Sequence, residues 1–148
     1  YAQQFTSFST EDFSRSLDEM TAGYELLTME VLARYEQRKL VGHIVFVLKT
    51  PSVQRGAVLN PLVAASQAAF TEFAESVALY AGDRETTTVV LVTGDAQNET
   101  SAKDNTFASW LSGYIEAVDA LKNKPGARQS AAWVKAGAKN PGGFSLFR

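Results

Sequence analysis

Asn60-Pro61 is the strongest constraint on what this 148-residue chain can build. An asparagine side chain accepts hydrogen bonds from the free amides of a first helical turn, and proline is pre-shaped for the first helical position, where its missing N–H costs nothing. A helix is therefore expected from Pro61 to about Ala81. Leu62, Ala65, Ala69, Phe73, Val77 and Tyr80 line one face, Phe70 adds to its edge, and Gly82 supplies the stop.

The same helical spacing recurs on either side. Phe13, Leu17, Met20, Tyr24, Leu27 and Val31 fall at steps of four and three, with Ser9 or Thr10 as N-cap and Glu11 and Asp12 where the helix dipole favours negative charge. Gly23 is expected to divide this stretch into helices over 10–21 and 24–39. A last long helix begins near Ser101 to Asn105, carries Phe107, Trp110, Leu111, Tyr114, Ile115, Val118 and Leu121, and ends at Pro125-Gly126. Two stretches differ in character: His43 to Lys49, closed by Pro51, and Thr86 to Thr93, followed by a polar loop, are β-branched and read as extended. Residues 127–136 offer a short helix, followed by a loose Gly/Pro-rich tail in which Phe144 and Phe147 suggest contact with another subunit. Four amphipathic segments with short connections predict a mainly α chain. The expected architecture is an antiparallel four-helix bundle, with the two short extended segments pairing at one end, as a single domain over 1–148.

Composition narrows the function. Fourteen basic residues against sixteen acidic ones leave a formal charge of −2, which removes the cationic signature of a free-standing nucleic-acid binder. Contact with a polyanion must then be local, or multiplied by assembly. With no cysteine and a single histidine, neither a disulfide framework, nor a thiolate zinc site, nor a histidine-rich metal site can form. The longest apolar run, Leu40 to Leu48, is too short to cross a bilayer, and the first residues lack the basic and apolar regions of a signal peptide, so a soluble chain without a membrane partner is expected.

Motifs for catalysis are weak. Val89 to Asp95 looks like a strand entering a nucleotide-binding turn, but the further glycines and the P-loop lysine are missing, so a strand leading into a tight turn is the better reading and no cofactor is expected. His43 has no serine or cysteine motif around it and reads as structural. Glu11/Asp12 and Asp18/Glu19 are adjacent pairs whose members point in different directions on a helix. An enzyme is not expected. Two basic groupings remain. Arg34 and Arg38 share a helix face, and Lys103-Asp104-Asn105 opens the last helix, where free amides favour an anion. Each alone is more often a solvated surface. Ser109 and Ser112 on the same helix are available for hydroxyl contacts.

Arg55-Gly-Ala-Val-Leu-Asn-Pro-Leu-Val63, followed by Ala69-Phe70, resembles the coat proteins of rigid rod-shaped plant RNA viruses. That family has an arginine, then Ala-Val-Leu-Asp-Pro-Leu-Val opening a long helix; Asn60 here replaces the aspartate and keeps its capping role. Ala33-Arg34 and Gln37-Arg38 resemble a pattern in the family's second helix, and Val47 to Pro51 resembles the extended segment after it. Asp104-Asn105 falls where the family has paired aspartates at the RNA-facing start of the last helix, Ser112 matches a serine on that helix, and Gly126 to Ser130 resembles the region that follows.

The resemblance implies a helical bundle that self-assembles into a rod-shaped virion around single-stranded genomic RNA, formed in the host cytoplasm. It implies an RNA-facing set of Arg34, Arg38, Lys103, Asp104, Asn105 and Ser112. A weakly acidic subunit can hold a polyanion in this way, because one modest site repeats along the whole strand. The runner-up is a helical adaptor or filament protein without nucleic acid.

Overall fold

The computed structural model describes residues 9–50, 60–82, 84, 86–95, 97–122 and 132–141. Arg55 to Leu59, Gly126 to Ser130, Phe144 and Phe147 lie outside the described residues.

The chain begins as expected. Ser9 caps helix α1 (Thr10–Leu17) in a reciprocal box: its hydroxyl accepts from the Asp12 amide at 3.1 Å, and the Asp12 carboxylate accepts from the Ser9 amide at 3.1 Å. These bonds, with Arg15 nearby, hold the Asp12 carboxyl below its ordinary value. Gly23 does not break the helix. Its φ of −61° is helical, and α1 passes through one π turn (Asp18–Ala22) straight into α2 (Gly23–Arg38), which ends at Lys39 in the left-handed region at φ 51°. A π turn adds a residue without interrupting the hydrogen-bond ladder, so the irregularity is absorbed rather than becoming a corner.

Strand β1 (Gly42–Thr50) follows, and then α3 (Pro61–Gly82) opens as expected. Asn60 Oδ1 accepts from the Leu62 amide at 2.9 Å, and the Asn60 carbonyl accepts from the Ala64 amide at 2.9 Å. Strand β2 (Thr87–Asp95), the short helix α4 (Glu99–Ala102), α5 (Asp104–Lys122) and strand β3 (Trp133–Lys135) complete the order. Where a short helix over 127–136 was expected, the described part from Trp133 is a strand.

The four-helix bundle is overturned. The two extended segments do not meet at one end; they run parallel through nine successive pairs, Gly42 with Thr87 to Thr50 with Asp95, and β3 adds to the other side of β2 through Leu91, Val92 and Thr93. The result is a three-layer α/β/α arrangement. Phe46, Val89 and Leu91 face α3 and the Leu32 side of α2, through Ala74, Val77, Ala78 and Ala81, with Phe70, Phe73 and Trp133 packed against them. Val90 and Val92 face the other way, onto Tyr114, Trp110, Leu111, Ile115 and Val118 of α5. The physical reason lies in β2, whose residues from Thr87 to Val92 are buried without interruption. A strand that is apolar on both sides must be covered on both sides, and a parallel pair needs a helical crossover, so helices end up separated by the sheet.

The crossovers have an unusual relation. β1 reaches β2 through α3 on one face, and β2 reaches β3 through α5 on the opposite face, while both steps move the same way across the sheet. Two such steps must differ in hand, so one is left-handed, against a preference that holds in about 98% of parallel connections.

Candidate functional site

Neighbouring parallel strands whose onward connections leave to opposite faces open a crevice at their carboxyl ends, the usual place for a ligand in an open α/β sheet. β1 and β2 have this relation. Lys49 stands near the end of β1, paired in register with Gly94, and its ammonium lies 5.7 Å from the centre of the Phe107 ring on α5. A Cβ on Gly94 would lie 2.6 Å from Ser101 Cβ, so only glycine lets α4 close against the strand.

The polar groups at this turn are spent on holding it. Ser101 Oγ donates to the Asp95 carbonyl at 2.8 Å, and Asp95 Oδ1 accepts from the Gln97 amide at 2.9 Å. Asn98 caps α4 by accepting from the Ser101 amide, and donates its Nδ2 to the Ala136 carbonyl at 2.8 Å, tying the turn to the end of β3. Lys103, Asp104 and Asn105 come next, all exposed. Among the described residues, no ion pair engages Lys49, Lys103, Lys135 or Lys139, which all follow or end strands at this edge.

The arginines expected to share the RNA-facing set lie elsewhere. Arg38 ends α2 just before β1 begins, at the opposite edge of the sheet, and Arg34 is one turn earlier with its Nε donating to Glu30 at 2.7 Å. The nine residues of β1 separate the two groups, about 26 Å at 3.3 Å per residue. Thus Lys103, Asp104 and Asn105 are brought together, Arg34 and Arg38 are brought together, and the two sets are not joined within one subunit. Ser112 is exposed midway along α5 and belongs to neither. Arg84 also lies toward the Arg38 edge, where it pairs with Glu36 and stacks 3.8 Å from the Tyr80 ring centre.

His43 has a structural partner that the sequence spacing hid. Its Nε2 lies 2.8 Å from Asp119 Oδ2, and Asp119 Oδ1 accepts from the Thr88 hydroxyl at 3.3 Å. The carboxylate stands between the imidazole and the hydroxyl, so the histidine has no contact through which to activate the threonine; the trio pins β1 and β2 to the end of α5. Among the described residues, no group of three or more metal-ligating side chains could hold a metal ion, and no helix is long and apolar enough to cross a membrane.

The helical layer leaves several large apolar side chains uncovered. Leu26 is 71% exposed, Leu27 65%, Met29 56% and Leu79 67%, and the ridge of Phe13, Leu17 and Met20 is 40 to 48% exposed. The helical periodicity of residues 13–31 marks Phe13, Leu17, Met20 and Leu27 as one face, which a bundle would bury and this fold leaves largely exposed; Leu26 and Met29 fall off that stripe and were missed. No family model, curated protein or solved structure matches the chain.

Proposed function

We propose that this chain is a structural subunit that assembles with copies of itself and encloses single-stranded RNA. One observation carries the reading: large apolar side chains on α1, α2 and α3 stand in solvent, from Leu17 at 43% to Leu26 at 71%, while Asp95, Asn98 and Ser101 at the sheet's carboxyl edge are consumed by the turn they hold. Exposed apolar surface of this kind marks association sites. Copies of the chain are its natural partners in a coat.

The RNA comes from the resemblance at Ala57 to Val63 and Ala69-Phe70, which is a likeness of sequence and not of the bundle fold. Charge is compatible with it. The lysines at the carboxyl edge and the arginines near the end of α2 are far apart in one subunit, yet assembly repeats both along a strand, so a chain of net charge −2 can still offer a continuous cationic track. In this reading Lys103, with Asp104 and Asn105 accepting from or donating to ribose and bases, and Arg34 and Arg38 contribute from different copies.

The test mixes purified chain with single-stranded RNA, digests with nuclease, and examines the product by electron microscopy. Rods or rings holding protected RNA of regular length support the reading. Assemblies without protected RNA reduce it to a filament or adaptor protein, and a chain that stays monomeric removes it.

A further inference from the structure

Helix α2 is apolar on two sides. One side faces the core, with Thr28 and Leu32 buried and Tyr24, Val31 and Tyr35 half-buried. At 100° per residue, Leu26, Met29 and Ala33 fall together in a second sector whose centre lies more than a quarter-turn from that of the first, and Ala22, the last residue of the π turn, leads into it. Their spacing of four, three and four is that of a helix–helix seam, with the two large residues between two small ones. Leu26 at 71% and Met29 at 56% are among the most exposed large apolar side chains described. Among the described residues, none is recorded packing on Leu26 or Met29, while Ala22 and Ala33 are half-buried.

Charge indicates what covers it. Residues 18–30 hold Asp18, Glu19, Glu25 and Glu30 and no base, whereas residues 31–39 hold Arg34, Arg38 and Lys39; Glu36 is neutralised by Arg84 and Glu30 by Arg34, which leaves Asp18, Glu19 and Glu25 at one end against Arg38 and Lys39 at the other. A parallel copy would set acid against acid. An antiparallel copy sets the acidic half of each helix beside the basic half of the other, and it also opposes the helix dipoles.

We infer that a second copy of this chain lays its α2 antiparallel on this seam, Leu26 of each copy meeting Ala33 of the other and the two Met29 side chains meeting near the two-fold axis. The inference rests on the self-assembly reading above and names the first contact of that assembly. A two-fold contact closes on itself, so larger assemblies grow through a separate surface, for which the Phe13, Leu17 and Met20 ridge remains available.

The chain has no cysteine, so single-cysteine variants report on a clean background. Met29→Cys in the full chain should form a disulfide-linked dimer on mild oxidation. Leu26→Cys and Ala33→Cys should each cross-link poorly alone and efficiently when mixed. Sedimentation of the parent should show a dimer whose Kd rises as salt increases from about 0.05 to 0.5 M. Met29→Glu, at a position already facing water, should raise that Kd by about tenfold or more with an unchanged circular dichroism spectrum. Efficient self-linking of Leu26→Cys means a parallel contact and overturns the inference, as does an unaltered Kd in Met29→Glu or a parent that is monomeric at about 100 µM. Nuclease protection on the same samples separates this inference from the proposed function. A Met29→Glu chain that is unaltered in Kd and still protects RNA overturns the seam alone. Cysteine variants that cross-link as expected, beside a dimeric parent that protects no RNA, uphold the seam and overturn the RNA reading.

Discussion

The indole Nε1 of Trp133 donates to Glu75 Oε1 at 2.7 Å, fastening the three-residue strand β3 to α3 across 58 positions of sequence. The other tryptophan does the same from the opposite face: Trp110 Nε1 donates to the Ala138 carbonyl at 2.9 Å, just past the end of β3. So short a strand has little ladder of its own, and these two bonds, one from each layer, fix where it lies.

Replacing Glu75 by leucine should therefore cost about 1–3 kcal/mol, because a half-buried indole N–H is left without an acceptor. Glu75→Gln keeps an acceptor oxygen and should cost less. Chemical denaturation of both variants checks the order; equal losses would mean that the bond does not secure β3.

Asn60→Ala should destabilise the chain by about 1 kcal/mol through loss of the cap on α3, and Pro61→Gly by about 0.4–1 kcal/mol through a freer unfolded chain. Thermal unfolding of the two variants tests this, and unchanged midpoints in both would remove the cap from the account of the fold.

Much of the local structure was legible because it is written in neighbouring residues. The Ser9 cap, the Asn60-Pro61 start and the stripe from Phe107 to Val118 all appear where expected. The architecture was not, because periodicity tells which face of an element is buried and not what covers it. The clue was β2: Thr87 to Val92 offers no polar alternation, which demands cover on both sides and excludes a marginal hairpin at the end of a bundle. The candidate site suffered in the same way. Arg34 and Arg38 share a face by spacing alone, but their distance from Lys103 depends on a nine-residue strand lying between the two edges.

Gly94→Ala should be more damaging than most glycine substitutions. The added methyl meets Ser101 Cβ at 2.6 Å, and Ser101 is buried and held by the Asp95 carbonyl, so it cannot move aside without losing that bond. A loss of about 1–3 kcal/mol is expected, typical of overpacking. Gly94→Ala with Ser101→Gly should recover part of it; no recovery would place the strain elsewhere.

At alkaline pH the tyrosines report on the two layers. Burial raises the phenols of Tyr24, beside Phe70 and Phe73, and of Tyr114, beneath the sheet, above the ordinary value of 10.0, and Glu25 adds to the first. A neutral group with a raised folded value contributes stability that is fully present below pH 10 and is lost as pH climbs through that raised value. Absorbance titration should show the phenols of Tyr24 and Tyr114 ionising late, with unfolding alongside. Ionisation of these two phenols at the ordinary value would count against their burial.

Nine residue pairs join β1 to β2, whereas three join β2 to β3. This imbalance divides the molecule into parts that need not open together. β1, α3 and β2 form one cooperative unit with its own layer of core, and β3 with α5 can detach as a second unit at a lower free energy than global unfolding. Such an opening bares Val90 and Val92, breaks the Trp133 bond to Glu75 and the contacts of Asp119 with His43 and Thr88, and keeps the packing of α2 and α3 on the other face of β1 and β2. Amide protons of Trp133 to Lys135 would then exchange well before those of Val89 to Val92, and an assembling subunit would carry one firm side for its neighbours and one that can yield.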